Sequence, residues 1–238
     1  MGDPLLAAGI YTKSNRITGR SFGHTHGDLK HIGGAESLTA EFDCHDIFAS
    51  SFRFRSTNYR RSFANLQHEP YRLRTLHRSD QVGPWRILHP TETDESSQAD
   101  DGSLVRQGEF HGVKILLLSD LGRMGQNRLL ERTEDLHADI VIAGIPTQTE
   151  PLSEALLDAI CPRLILIADA ELPATARAGE RLKERLARRN TTVLYTRTAG
   201  AVTIMIHTYG CEITTADQQQ FRLKDLPAMT LSPPTPGT

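Results

Sequence analysis

The stretch HTHGDLKHIGG, residues 24–34, sets three imidazoles and one carboxylate within eight residues and then ends in two glycines. His26, Asp28 and His31 follow one another at spacings of two and three residues, too irregular for one face of a strand and too crowded for packing along a helix. A loop is predicted. The Gly33-Gly34 pair lets the backbone turn tightly where the side chains converge, and AESL beyond it can open a helix. Neutral imidazole and carboxylate oxygen bind zinc, manganese or iron, and a cluster drawn from one loop needs distant residues to complete its shell. The competing reading is a polar turn whose histidines face water.

The chain around this loop has 238 residues, enough to bury a sizeable core, and one large domain over 1–226 is expected, followed by a disordered tail over 227–238 that contains SPPTPGT. A net charge of -2 excludes a generally basic coat for nucleic acid, so any such contact must be local. No apolar run approaches the ~20 residues that span a bilayer. LLAAGI near the start is too short for a signal-peptide core and lacks a basic flank, so a cytoplasmic location is expected. Cys44, Cys161 and Cys211 form no CxxC pair and read as reduced, small core residues.

The C-terminal half shows regular alternation. VKILLLSD (113–120), ADIVIAG (138–144) and RLILIAD (163–169) read as buried strands; NRLLERTEDL (127–136), EPLSEALLDAI (150–160) and TARAGERLKERLARR (175–189) read as helices. TVLYT and AVTIMIHTYG, joined through Arg197 to Gly200, read as an antiparallel pair, because so short a link cannot hold a crossover helix. DLGRMGQN carries Gly122 and Gly125 ahead of a helix, but a lone GxxG without a Walker lysine reads as a turn with no ligand. Ser103 and Ser119 lie in no nucleophile elbow, and His45, His68, His77, His89, His111, His137 and His207 are scattered.

From Ser50 to Asp80 seven arginines face two acids. Arg53, Arg55, Arg60 and Arg61 can form a ridge that holds phosphates of single-stranded DNA, with Phe52, Phe54 and Tyr59 to stack bases, or a solvated face, which is the favoured reading. From Thr91 to Glu109 the sign reverses, with six acids and one arginine, and a solvated loop is expected.

THGDLKHIGG resembles the signature loop of the metallo-β-lactamase fold, in the S/T-H-x-D-x-D-H-x-G-G form of the C-terminal domain of the ComEC family of competence DNA-uptake channels. ILHPTE, ADDGSLV and VKILLLSDLGRMGQNRLL are similar, in that order, to the family's Leu-His-Pro run, its Asn/Asp-rich loop with Ser-Leu-Val, and its strand ending in Ser-Asp before a helix with paired leucines. GAVTIMI fits its closing strands. The likeness runs over about residues 15 to 215, and the order of landmarks is more specific than any single one.

This resemblance implies an α/β fold, a metallo-β-lactamase-like αββα sandwich with a reduced N-terminal half, since only 25 residues precede His26 and GRSFGH stands where the family has an apolar strand. The rival is a doubly wound parallel sheet, which residues 113–196 alone would fit. By the resemblance His26 and Asp28 match ligands of a first metal, His31 a ligand of a second, and Asp120 the carboxylate that bridges both; Asp100, Asp101 and Ser103 fall where further polar groups approach. Lys30 replaces the second-metal aspartate and is expected beside Asp120 as an internal cation, and IPTQ (145–148) replaces a His-His-Gly-Ser turn. One divalent metal, zinc or manganese, is expected, weakly held or absent. Three functions stay open: a degenerate domain with weak or no hydrolase activity that associates with DNA; an active phosphodiester hydrolase, in which a metal-bound hydroxide attacks phosphorus and Asp120 orients it; and a structural module without a ligand. Partnership with a membrane channel subunit would place the chain outside the cytoplasm, as in the family.

Overall fold

A computed structural model describes residues 20–24, 44–52, 57–67, 73–229 and 231. Strands β1 (Arg20–His24), β2 (Cys44–Ser50) and β3 (Leu73–Leu76) form a small parallel sheet in that order, and helix α1 (Thr57–Gln67) lies in the connection between β2 and β3. RSFGH is therefore a strand despite its weak apolar character. Its register with β2, from Arg20↔Cys44 to His24↔Ala49, supplies the backbone partners that its composition does not announce.

Seven strands make the central sheet: β4 (Gln81–Val82), β5 (Trp85–His89), β6 (Val105–Phe110), β7 (Val113–Ser119), β8 (Ile140–Ala143), β9 (Leu164–Ile167) and β10 (Thr192–Tyr195), in the order β10-β9-β8-β7-β6-β5-β4. β7 to β10 are parallel, whereas β4 to β7 pair antiparallel. His111 and Gly112 join β6 to β7 with φ of 49° and 80°, the two positive angles of a type I′ hairpin turn, whose twist matches that of the strands. Helices α2 (Arg123–Arg132), α3 (Glu154–Ile160) and α4 (Glu180–Ala187) fill the connections between the parallel strands.

The expected antiparallel pair of TVLYT and AVTIMIHTYG is corrected. β10 lies parallel to β9, and a one-turn helix, α5 (Thr196–Ala199), then carries the chain out of the central sheet. The next strand, β11 (Val202–His207), pairs with β12 (Gly210–Thr215), which pairs with β13 (Gln220–Arg222), both antiparallel, in a sheet of their own. A short link forbids a crossover within one sheet but allows a change of sheet.

Alternation along β7, β8 and β9 decides the layers. Leu116, Leu118, Val141, Ala143, Ile165 and Ile167 face the helices, where Leu129, Leu156, Leu157, Ile160, Leu182 and Leu186 meet them. Ile115, Ile140, Leu164 and Leu166 point the other way and pack on Cys211 and Ile213 of β12. Farther along that second face, Phe48 and Leu76 of the first small sheet meet Ile87 and Leu104. Trp85 packs with the second group, its ring 5.2 Å from that of Phe110. Each fully buried aliphatic side chain contributes roughly 1.5–3 kcal/mol relative to exposure. Among the described residues the molecule is thus a mixed α/β fold with α2, α3 and α4 on one face of a mixed sheet and two small sheets on the other, unlike the doubly wound rival, which needs helices on both faces.

Met229 is only 6% exposed and joins the helical-side core, so packing continues past Leu226. Residues 230 and 232–238 of the expected tail lie outside the described residues.

Candidate functional site

Because β7 to β10 are parallel, their carboxyl ends share one edge of the sheet, the edge at which α/β sheets present loops to ligands. Asp120 follows β7 there, after Ser119 in the left-handed region at φ 53°. Gly144 follows β8 and its N–H donates to the Ser119 carbonyl at 2.9 Å. A Cβ at Gly144 would stand 1.8 Å from Asp120 Oδ1, so the carboxylate rests over a position that only glycine leaves open.

The turn Asp100–Gly102 reaches the same edge from the other direction, its two aspartates 6% and 5% exposed. Asp100 Oδ2 accepts the Thr147 N–H at 2.7 Å, which ties this turn to the Ile145–Gln148 segment. Asp101 Oδ1 accepts the N–H groups of Met124 and Gly125 at 3.1 and 3.3 Å, and its Oδ2 accepts the Ser96 hydroxyl at 2.8 Å. Asp101 thereby caps α2, whose own N-cap residue, Gly122, has no side chain to offer. The GxxG glycines make room for this cap: a Cβ on Gly122 would lie 2.4 Å from Asp101 Oδ1, and one on Gly125 would lie 2.8 Å from the Asp101 carbonyl. The negative charge that a helix N-terminus favours is already supplied from inside the chain.

A buried polar network fastens the loop beneath. His89, 1% exposed, makes a 2.7 Å hydrogen bond through Nε2 with the Asp101 carbonyl, which assigns the proton to Nε2. Its Nδ1 lies 3.8 Å from Asp94 Oδ2, beyond hydrogen-bond length. Asp94 Oδ2 accepts from Arg132 Nη1 at 2.7 Å and from the Thr91 N–H at 2.9 Å. Burial holds the His89 pKa below the usual imidazole range, against the opposing pull of the Asp101 hydrogen bond and the Asp94 charge. Burial raises the Asp94 pKa, but the hydrogen bonds from Arg132 and Thr91 outweigh it and hold the carboxyl well below its usual range.

The expected solvated loop over Thr91 to Glu109 is therefore corrected. Asp94, Asp100 and Asp101 are buried acceptors, because amides, the Ser96 hydroxyl and the guanidiniums of Arg132 and Arg128 converge on them. Sequence reasoning missed the network of His89, Asp94 and Arg132. The available signal was the pair Arg128 and Arg132, four residues apart on a helix that follows an acid-rich segment.

Of the sequence-derived site residues, the structure brings Asp120 and the Asp100–Ser103 segment to one edge. His26, Asp28, Lys30 and His31 lie outside the described residues, as do Arg53, Phe54 and Arg55. Arg60 and Arg61 are exposed on α1. Phe52 and Tyr59, by contrast, are 5% and 8% exposed, and the Tyr59 ring lies 5.4 Å from that of Phe63, so neither is free to stack a base. Ser103 is wholly buried, its Oγ without a hydrogen-bond partner among the described residues, in no position to attack a substrate.

Among the described residues no group of three His, Cys, Asp or Glu side chains is disposed to hold a metal ion. Beside Asp120 the sequence offers Ile145, Pro146, Thr147 and Gln148, which include no imidazole, and the neighbouring aspartates are engaged by amide N–H groups. The described donors do not by themselves fit a metal centre. No helix among the described residues is long and apolar enough to cross a membrane.

No protein-family model matches the sequence, and no curated protein matches it. Among solved structures the chain is similar to Igni18, a novel metallo hydrolase from the hyperthermophilic archaeon Ignicoccus hospitalis, with a TM-score of 0.44 and 9% identity over 75% of this chain and 76% of that one.

Proposed function

We propose that this chain is a degenerate metallo-β-lactamase-fold domain of the ComEC-like kind, a pseudoenzyme whose hydrolase activity is weak or absent. The reading begins from the order of sequence landmarks, the HxDxxHxGG loop, ILHPTE, ADDGSLV and the strand ending in Ser119-Asp120. One observation carries its degenerate character: among the described residues the acids beside Asp120 accept main-chain N–H groups, Asp100 from Thr147 and Asp101 from Met124 and Gly125, and Ile145 to Gln148 bring no imidazole. Such charge-assisted hydrogen bonds are strong and hold these loops in place. Lys30, in this proposal, supplies a positive charge toward Asp120 in place of a second metal. Association with single-stranded DNA enters only through charge, since Arg60 and Arg61 can contact phosphates in a salt-dependent way without a stacking platform.

The test is hydrolysis of bis-p-nitrophenyl phosphate with added manganese or zinc, beside elemental analysis of protein purified without added metal. Turnover at or near the uncatalysed rate is expected. Robust turnover that disappears in His26→Ala would instead establish the active phosphodiester hydrolase.

A further inference from the structure

Strand β11 is an edge, paired with β12 on one side and with no strand among the described residues on the other. The two-residue turn at Thr208 and Tyr209 makes His207 and Gly210 a mutually hydrogen-bonded pair, so by alternation Met205 and Thr203 also bond to β12. Thr215 on β12 agrees with this phase, since its N–H donates away from β11, to the Gln219 carbonyl at 3.1 Å. Val202, Ile204 and Ile206 therefore turn their N–H and C=O groups outward. Natural sheets blunt such an edge with lysine, proline or a bulge, and VTIMIH in its regular register has none of these.

The apolar side chains of this edge are incompletely covered. Cys211, Ile213 and Thr215 of β12 are 5%, 0% and 3% exposed, whereas Val202, Ile204 and Ile206, which pack on the same core group, are only partly buried. The turn after β13 lies over the start of β9, where Arg163 approaches the Lys224 and Leu226 carbonyls. β11, on the other side of β12, faces toward β6 and the first small sheet.

A second, independent observation lies on β6. Val105 joins the helical-side core, so Arg106 points to the face that carries the two small sheets. Its cross-strand neighbours are Ile87, which packs with Phe48 and Leu76 of the first small sheet, and Leu117, which packs with the β12 group. The guanidinium thus stands between the two. Its Nε is buried without a hydrogen-bond partner, and the group makes no ion pair among the described residues. The terminal nitrogens are not sealed in the same way, so a ligand can reach them. Farther along this row Leu117 and its partner Ile142 are partly exposed, while Ile115 and Ile140, two residues away, are 3% and 0% exposed. An apolar strip with one unneutralised cation therefore runs beside a free strand edge. A charge left uncompensated in such surroundings calls for a carboxylate.

We propose that this strip, between the two small sheets, is a docking site for an extended segment of a partner protein, which adds a strand to β11 and lays an aspartate or glutamate on Arg106. Backbone pairing supplies the affinity and the side-chain pattern the specificity. An added strand turns every second residue the way Val202, Ile204 and Ile206 face, so the segment reads aliphatic, any residue, acid, any residue, aliphatic. The site uses neither Asp120 nor the loop of His26 and does not depend on the hydrolase ancestry proposed above.

The experiment titrates the isotope-labelled full chain with the capped peptide acetyl-Lys-Val-Thr-Glu-Thr-Val-Lys-amide, following backbone amides and arginine Nε–H signals by NMR. In the free chain, monomeric by sedimentation, the amides of Val202, Ile204 and Ile206 are expected to exchange rapidly. Peptide should slow their exchange and give saturable shifts there and at Arg106. The same peptide with glutamine for glutamate should bind roughly tenfold or more weakly. Arg106→Gln should abolish that difference, whereas Arg86→Gln, on the same sheet, should preserve it. N-methylation of the peptide amides that face β11 should prevent binding, a test that needs no variant of the chain. No saturable shift at millimolar peptide, or equal affinity of the wild type for the glutamate and glutamine peptides, overturns the proposal. Slow exchange at Val202, Ile204 and Ile206 before peptide is added overturns it too, and sedimentation then tells whether a second copy or the chain itself covers the edge.

Discussion

His89 shows how a single side chain can set the pH range of a fold. Its ring is buried and its pKa is depressed by that burial, so the folded chain resists the proton that the unfolded chain accepts below about pH 6.5. The contribution to stability is complete above that pH and is lost as the pH falls toward the folded pKa. Asp94, also depressed, adds a second loss at lower pH, below the usual carboxylate range of about 4. Urea midpoints measured from pH 8 to pH 2 should therefore decline from near pH 6.5 downward and again below about pH 4, and His89→Gln should remove the first part of that decline while retaining the second. A variant whose profile overlays the wild type would show that the ring is not protonation-limited. At this scale the sequence was only partly legible: Asp120 could be placed at the end of a strand because VKILLLSD is a buried run ending in an acid. The burial of Asp94 and Asp101 could not, since it depends on donors that adjoin them only after folding.

Helix α2 begins at Arg123, earlier than the expected 127, because its first N–H groups are satisfied by a carboxylate 23 residues upstream of Met124 rather than by a neighbour in sequence. Local capping rules cannot see such a cap. Asp101→Ala is expected to cost about 1–2 kcal/mol through loss of the cap, and more where Ser96 is left without its acceptor. The measurement is urea unfolding together with amide exchange at Met124 and Gly125, which should speed up in the variant and stay slow in Asp101→Asn if one acceptor oxygen is enough. The strands were more legible than the helix ends. Residues 140–143 and 164–167 are apolar on both sides and could only be buried on both faces, whereas the destination of β11 rested on α5, a turn of four residues with no apolar signature of its own.

At the scale of the whole molecule, apolar alternation fixes the helical layer and leaves the other face to two small sheets made from opposite ends of the chain. The outward side of β11 and β12 carries Thr203, Met205, Glu212 and Thr214, so it offers a further helix little to bury against. The order of layers was not legible in the sequence because the strand that leaves the central sheet does so by geometry rather than by composition. Trp85, on β5, packs against a core group drawn largely from residues after 113, while the helical ellipticity comes from both halves, from α1 in the earlier and from α2, α3 and α4 in the later. If the chain is one cooperative unit, tryptophan emission and the 222 nm signal should change at the same urea concentration. Two separated transitions would divide it into independently folding parts. Trp85 is the only tryptophan in the chain, and its position against Phe110 and the far core makes it an intrinsic optical gauge of whether the two halves are joined.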